Sequence, residues 1–356
     1  MQKIRALIVD DSAFMRKSIE IMLKSDDQIE VIASARDGEE GYELAKKMRP
    51  DVITMDIEMP RMDGLTSLKK IMHDCPTSVI MISSLTSEGA EATLQAMELG
   101  AVDFIPKELS YINVNIINIR DDLIRKIKAI VKQRSLSERL ARIQQLSLRS
   151  TKTQAGNIRT STQLPKIGYK AVALGISTGG PMSLQKIIPR FLKKNMIPYF
   201  IVQHMPPKFT KLLAQRLDTL SEVEVKEAEH NETVRNGVVY IAPGGFHMTV
   251  KKNGTGTVSI DITEEPTTTL HRPSVDIMID SVVKIYGKHT MGIIMTGMGK
   301  DGLEGIRSLK KLGGHCLAQD EESCIVYGMP KSIVNAGFAD VIASLEDITK
   351  IINEAL

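Results

Sequence analysis

The sequence predicts an α/β protein made of two successive doubly wound units, each a parallel sheet between layers of helices. Three observations predict it. Short apolar runs rich in Val and Ile alternate with amphipathic stretches, first over residues 1–125 and again after residue 168. The length of 356 residues exceeds one ordinary domain of roughly 100–200 residues. Hydrophobic residues make up 42% of the chain and charged residues 25%, a balance that suits packed cores and does not suit disordered, collagen-like or coiled-coil chains.

In the first unit the apolar runs are residues 6–9, 31–33, 52–55, 79–82 and 102–105. Each is short and bounded by turn or charged residues, as strands buried on both faces require. Helical stretches fall at 14–23, 41–48, 65–72 and 88–99, and a further helix is expected over 114–131. Five βα units of this kind give a five-stranded open sheet whose ligand site lies beyond the carboxyl ends of the strands.

The composition then shifts. Between Arg125 and Lys170 basic residues dominate and Glu138 is the only acid, and residues 147–163 are mostly Ser, Thr, Gln and Arg. Such a stretch cannot bury a core, so residues 126–167 are expected to be a basic helical and flexible linker. A solvated tether explains the charge better than docking on an acidic partner.

The second unit, 168–356, is the larger. Its strands are expected at 171–174, 198–202, 238–241, 291–295 and 339–342, and its helices at 182–192, 210–220, 274–286, 303–312 and 348–355. Residues 248–252 and 257–262 predict a β-hairpin insertion turning at Asn253-Gly254.

Charge and composition exclude several classes. Lys and Arg number 46 against 43 Asp and Glu, so no strong field favours nucleic acid or a membrane surface. No apolar run approaches the roughly 20 residues that span a bilayer, and the start, Met1-Gln2-Lys3-Ile4, lacks a secretory core. Three cysteines, Cys75, Cys316 and Cys324, match neither a disulfide framework nor a zinc pattern. A cytoplasmic monomer, with no nucleic acid and no membrane insertion, is the expectation. The nineteen methionines are expected to fill gaps in the cores.

Two constellations carry chemistry. In the first, Asp10 and Asp11 follow the first strand, Asp56 the third, Ser83 ends the fourth and Lys107 follows the fifth. Parallel strands bring all of these to one sheet edge. Converging carboxylates repel unless compensated, and Mg²⁺ with oxygen ligands is the natural compensation. An ammonium and a hydroxyl beside them suit phosphoryl transfer, in which positioning and charge neutralisation do most of the work. Asp56 would attack the phosphoryl donor. A lone Asp-Asp after a strand is weak evidence, since helix caps use Asp constantly; the joint pattern is far more specific. This arrangement resembles the response-regulator receiver domain, a flavodoxin-like fold, over about residues 3–125. The resemblance implies phosphorylation at Asp56 by a histidine kinase, and Mg²⁺ held by Asp11, Asp56 and the backbone carbonyl of Glu58 with Asp10 assisting. It puts Phe104 at the aromatic switch position. The family has Pro directly after the lysine, whereas this chain has Glu108 there and Pro106 before it.

In the second constellation, Gly175-Ile176-Ser177-Thr178-Gly179-Gly180 joins a strand to a helix, a turn that exposes a serine hydroxyl beside free backbone N–H groups. Taken alone, it is barely better than a phosphate loop with a capping serine. His204 follows the next strand, and Asp301, in Thr296-Gly297-Met298-Gly299-Lys300-Asp301-Gly302, follows another. Ser177, His204 and Asp301 can therefore meet as nucleophile, base and orienting acid. His271 is a rival base, and Asp301 could equally be a helix cap. The strings GISTGGP, IVQHMPPKFT, IAPGG, HRPSVD, TGMGKDG, AQDEESC and YGMP together resemble the chemotaxis protein-glutamate methylesterase family over about residues 168–354. An attached receiver and linker fit the same family. The resemblance implies a Ser177–His204–Asp301 triad, backbone N–H groups of Thr178 and Met298 beside the oxyanion, and substrate contact by Arg272 and Met298. It further implies chemoreceptor γ-glutamyl methyl esters as substrate, methanol as product, deamidation of receptor glutamines, and no esterase cofactor. The fused architecture suggests that the unphosphorylated receiver blocks the hydrolase and that phosphorylation relieves the block. Two rivals are a DNA-binding regulator, for which the second unit has no helix-turn-helix pattern, and a binding module with a dead hydrolase site.

Overall fold

The computed structural model describes residues 3–84, 86–107, 114–147, 163–194, 197–254 and 256–356. The chain divides into two compact units, residues 1–140 and 141–356.

In the first unit β1 (Ile4–Val9), β2 (Ile29–Ala35), β3 (Val52–Asp56), β4 (Ser78–Ser83) and β5 (Asp103–Pro106) pair in parallel in the order β2-β1-β3-β4-β5. Strands β3 and β4 are buried along their whole length, which explains their unbroken apolar runs. The intervening helices are α1 (Ala13–Lys24), α2 (Gly38–Met48), α3 (Gly64–Asp74) and α4 (Ser87–Glu98). Side chains of Ser12, Asp37, Asp63 and Thr86 cap them in turn by accepting backbone N–H groups of the first turn. The chain leaves β1 for one side of the sheet and returns to β3 on the other. The crevice between the carboxyl ends of β1 and β3 is therefore the natural ligand position.

Helix α5 (Val114–Ser147) runs well beyond the 114–131 expected from its apolar period. Nothing between 132 and 147 is Gly or Pro, so the helix has no local reason to stop. Leu123, Ile127 and Ile130 are its buried stripe. Lys126, expected to open the linker, is instead held beside the sheet: its amine lies 3.2 Å from Asp103 and donates to the Phe104 carbonyl at 2.9 Å. The expected flexible tether falls largely on 148–162, outside the described residues, as does Glu108.

The second unit has a seven-stranded sheet in the order β14-β13-β12-β6-β7-β9-β8, all parallel. Its strands are β6 (Ala171–Ile176), β7 (Tyr199–Gln203), β8 (Glu224–Glu227), β9 (Val238–Ile241), β12 (Thr290–Ile294), β13 (His315–Gln319) and β14 (Val341–Ala343). The helices are α6 (Gly180–Ile187), α7 (Phe209–Leu220), α8 (Val275–Tyr286), α9 (Leu303–Lys311), α10 (Met329–Asn335) and α11 (Leu345–Ala355). The expected hairpin forms a separate two-stranded antiparallel sheet, β10 (His247–Lys252) with β11 (Val258–Thr263). It docks on α8, where Ser281 Oγ accepts the Val250 N–H.

Strands β8 and β13 and helix α10 were not legible in the sequence. Strand β8, Glu-Val-Lys-Glu, lies at the sheet edge and buries little, so it has no apolar run. Strand β13 is buried, but His315 and Gln319 at its ends interrupt the pattern. Helix α10 has only seven residues, with Pro330 in its first turn. The core joins the sheet to α8 and α9, with Phe200, Tyr240, Val275, Ile279, Ile294 and Ile306 all fully buried. Met55, Met81, Met278 and Met295 are likewise buried, as expected of gap-filling methionines. From β6 the chain passes to β7, then to the edge strand β8 and back to β9 between them, before crossing to β12 on the other side of β6. The second crevice thus lies between the carboxyl ends of β6 and β12.

Candidate active site

The first crevice gathers Asp10, Asp11, Asp56 and Lys107. One carboxylate oxygen from each aspartate lies within 4.8 Å of the other two. The Lys107 amine donates to Asp56 Oδ2 and lies 3.5 Å from Asp10 Oδ2. Burial pushes the Asp56 carboxyl up to about 6, although Lys107 opposes the rise. Burial raises Asp10 as well, again against Lys107. Apart from the Lys107 ion pair, Asp10 Oδ2 is buried with no hydrogen-bond partner among the described residues. Three converging oxygen donors, with the Asp10 and Asp56 carboxyls pushed towards neutrality by burial, are the donor set a hard divalent cation satisfies, so these residues fit Mg²⁺. Glu58 lines the cleft that opens beside Asp11.

Ser83 and Phe104 belong to β4 and β5 at the same edge of the sheet. The Ser83 hydroxyl donates to the Gly89 carbonyl of α4 at 3.0 Å and receives the Thr93 hydroxyl at 2.6 Å. Phe104 is buried at 5% exposure.

The second crevice is built by strand register. Ile176 of β6 pairs with Gln203 of β7, so Ser177 and His204 are the first residues beyond the paired ends of neighbouring strands. The His204 N–H donates to the Ile176 carbonyl at 3.2 Å. From the β12 side Asp301 reaches the same place: its Oδ2 lies 2.9 Å from His204 Nε2.

Asp301 is clamped. Oδ2 also accepts the Val275 N–H at 2.8 Å, and Oδ1 accepts the Ser274 hydroxyl at 3.0 Å and the N–H groups of Asp276 at 2.9 Å and Gly302 at 3.0 Å. It therefore caps α8 from another loop while holding the imidazole, so the cap and the imidazole partner are one group. Burial works against its charge. The His204 hydrogen bond and the α8 N–H groups outweigh burial and hold the carboxyl well below the ordinary carboxylate value. An ionised Asp301 can only accept from Nε2, so Nε2 is the nitrogen that carries a proton in this bond. That leaves Nδ1 as the nitrogen able to act as base, and it is buried with no hydrogen-bond partner among the described residues.

Two peptide groups frame this pocket. The Ser177 carbonyl accepts the Gly180 N–H at 2.7 Å and Gln203 Nε2 at 3.1 Å. The Gly297 carbonyl accepts the N–H groups of Gly328 at 3.0 Å and Met329 at 2.9 Å. In a trans peptide the N–H points opposite the C=O. Each anchored carbonyl therefore aims the next N–H, that of Thr178 and of Met298, away from its anchors, and neither N–H is bonded among the described residues. Gly297 must be glycine here: a Cβ would lie 2.7 Å from Ser177 Cβ.

A family model described as CheB methylesterase matches residues 172–352, and one described as response regulator receiver domain matches residues 6–115. The chain belongs to the CheB methylesterase family. It is 46% identical over 367 residues to a protein-glutamate methylesterase/protein-glutamine glutaminase of Oleidesulfovibrio alaskensis, with 99% of both chains covered. It is 44% identical over 355 residues to a protein of that description from Pyrococcus abyssi, covering 100% of this chain and 94% of the relative. Among solved structures, the CheB methylesterase catalytic domain of Thermotoga maritima is similar at a TM-score of 0.51 and 45% identity, covering 53% of this chain and 100% of that one.

Within this family frame the rival groups find other places. His271 stacks on His204 with ring centroids 4.2 Å apart, while His204 is the ring bonded to Asp301. Arg272 is exposed and turned to Glu264, whose carbonyl it reaches at 3.4 Å. The cysteines are free and buried, and burial pushes the thiols of Cys75, Cys316 and Cys324 up, away from thiolate nucleophiles. Sequence reasoning missed Gln203. It is 2% exposed, and its amide joins the carbonyls of Ser177 and His204 at 3.1 Å each. An uncharged polar residue at the inner end of an otherwise apolar strand was the available signal.

Proposed function

We propose that this chain is a phosphorylation-controlled serine hydrolase that removes methyl esters from γ-glutamyl side chains of chemoreceptors. The bond between His204 and a clamped, ionised Asp301, one strand register from Ser177, carries this reading. His204 Nδ1 takes the proton of Ser177 as its oxygen adds to the ester carbonyl. The new oxyanion turns to the N–H groups of Thr178 and Met298. His204 returns the proton to the leaving methoxide, and methanol departs. Water then adds to the acyl-enzyme, with His204 again as base, and free glutamate and Ser177 are regenerated. Asp301 stabilises the imidazolium formed in each half-reaction. Glutamine side chains follow the same path, with His204 protonating the departing ammonia.

Regulation belongs to the first crevice. Asp56 accepts a phosphoryl group from a histidine kinase. Asp11, Asp56 and the Glu58 carbonyl would hold Mg²⁺, with Asp10 assisting, and when bound it would supply positive charge beside the phosphoryl oxygens. Lys107 neutralises a further oxygen. The substrate is the cytoplasmic helical bundle of the receptor. In keeping with that site of action, no helix among the described residues is long and apolar enough to cross a membrane.

The test is methanol release from methyl-labelled receptor membranes, with and without a small phosphodonor and Mg²⁺. Ser177→Ala abolishes release and labelling by a fluorophosphonate, while Asp56 still takes up phosphoryl. Methanol release that survives this substitution rejects the nucleophile. Turnover that ignores the phosphodonor rejects the control.

A further inference from the structure

The two outward N–H groups belong to different loops, one after β6 and one after β12. An oxyanion bridged by two donors requires their separation to be held within a fraction of an ångström. We propose that Thr296 is a positioning residue that sets this separation, through its side-chain hydroxyl. The inference rests on the hydrolase reading of the Ser177 pocket.

Thr296 sits between the two loops and is bonded to both. Its carbonyl accepts the Ser177 N–H at 2.9 Å, and its hydroxyl donates to the Thr178 carbonyl at 2.9 Å. It therefore grips the serine turn on both sides of the peptide that presents the Thr178 N–H. Two residues later the same segment presents the Met298 N–H. Thr296 is itself fixed. Its N–H donates to Gln319 Oε1 at 2.8 Å, and its hydroxyl accepts the Val326 N–H at 3.1 Å. Gln319 is anchored in turn by its amide nitrogen on the Ser323 carbonyl at 3.0 Å. Thr296 and Gln319 are both fully buried at 0% exposure, so water cannot replace a lost bond.

A satisfied core threonine makes one or two bonds to its own helix or strand. Thr296 instead spends its hydroxyl across 118 residues of sequence, on the residue that presents a donor to the pocket. Without the hydroxyl, the Thr178 carbonyl loses its tie to the β12 loop, and the 177–178 peptide that carries the Thr178 N–H is held only by the anchors of the Ser177 carbonyl and by the Ser177 N–H bond. The serine turn can then shift against the β12 loop, and the spacing of the two N–H groups is no longer fixed. This costs transition-state stabilisation, because the oxyanion exists only after attack, and leaves ground-state binding alone.

The experiment uses the full chain with phosphodonor and Mg²⁺ on methylated receptor membranes. Thr296→Val keeps the shape and removes the hydroxyl; Thr296→Ser keeps the hydroxyl. For Thr296→Val, kcat falls by about tenfold to hundredfold with KM little changed, and the fluorophosphonate labelling rate of Ser177 falls in parallel. Thr296→Ser recovers most of both rates. Thermal melts are recorded for each variant. If Thr296→Val shows no cooperative melt, Thr296→Cys, whose thiol is a poor donor, is read in its place with the same expected loss. Wild-type kcat in the hydroxyl-free variant overturns the proposal. So does a loss confined to KM, or an equal loss in Thr296→Ser. A wild-type chain that releases no methanol defeats the hydrolase reading and the inference with it, whereas an active wild type with an unaffected Thr296→Val defeats the inference alone.

Discussion

Replacing Asp301 by Asn tests two roles at once. The carboxylate accepts five hydrogen bonds: four from the start of α8 and the Gly302 N–H, and one from His204. An amide offers one acceptor oxygen and turns an NH₂ group towards the other donors. If the oxygen keeps the Oδ1 set, Nδ2 faces the Val275 N–H and His204. One buried donor pair then clashes and the charge on the α8 N-terminus is lost. Leaving a buried donor unsatisfied costs about 1–3 kcal/mol, and losing a helix-terminal charge costs about 0.3–2 kcal/mol. A total of about 1–5 kcal/mol follows, equivalent to a fall in Tm of roughly 3–20 °C for a unit of this size. The catalytic loss is larger. Asn favours the wrong imidazole tautomer and cannot stabilise imidazolium; the equivalent change in a serine protease triad lowers kcat by about 10⁴. Methanol release and a thermal melt on the same preparation measure both. The Asp301 pKa is depressed on folding, so the stability it contributes is complete above its unfolded value of 3.8 and is lost as pH falls below that. The stability gap between wild type and Asp301→Asn is therefore constant above about pH 4 and narrows in acid. An Asn variant within tenfold of wild-type kcat, or one with an unchanged melt at neutral pH, refutes the clamped-acid argument.

Two further outcomes follow from the geometry. The Asp56 carboxyl is raised to about 6 on folding and must ionise to hold Mg²⁺, so Mg²⁺ affinity and phosphoryl uptake fall as pH drops through about 6; titration at pH 5 and pH 7.5 reads this, and equal affinity contradicts it. Gly297→Ala places a methyl 2.7 Å from Ser177 Cβ and 2.5 Å from Met329 Sδ. Methionine can yield, but the serine turn must shift, so kcat falls by about 10² or more while the fold survives; kinetics alongside a melt check it, and normal turnover contradicts the close approach.

Much of the fold was readable because its signals are local. Strand β9 was expected at its observed bounds, and most other strands and helices within a few residues, because buried parallel strands advertise themselves as apolar runs. The misses have equally local causes. Strand β8 is polar because an edge strand need not be apolar, and α5 continued because no residue stops it. At the sites, Asp10, Asp11, Asp56 and Lys107 were found from a single rule, that the carboxyl ends of parallel strands share an edge. Gln203 and Thr296 were not, since a buried polar residue becomes meaningful only once its partners are known.

The amino-acid sequence by itself determined the two α/β units, the acidic cluster and the candidate Ser177, His204 and Asp301, because strand periodicity, glycine turns and strand-end polar residues are written in short stretches of chain. Tertiary structure alone decided that His204 rather than His271 meets Asp301, that Asp301 caps α8 while holding the ring, and that two carbonyls anchored from behind turn the N–H groups of Thr178 and Met298 outward. These outcomes depend on register and loop contacts between residues as much as 118 positions apart, a distance no local pattern spans.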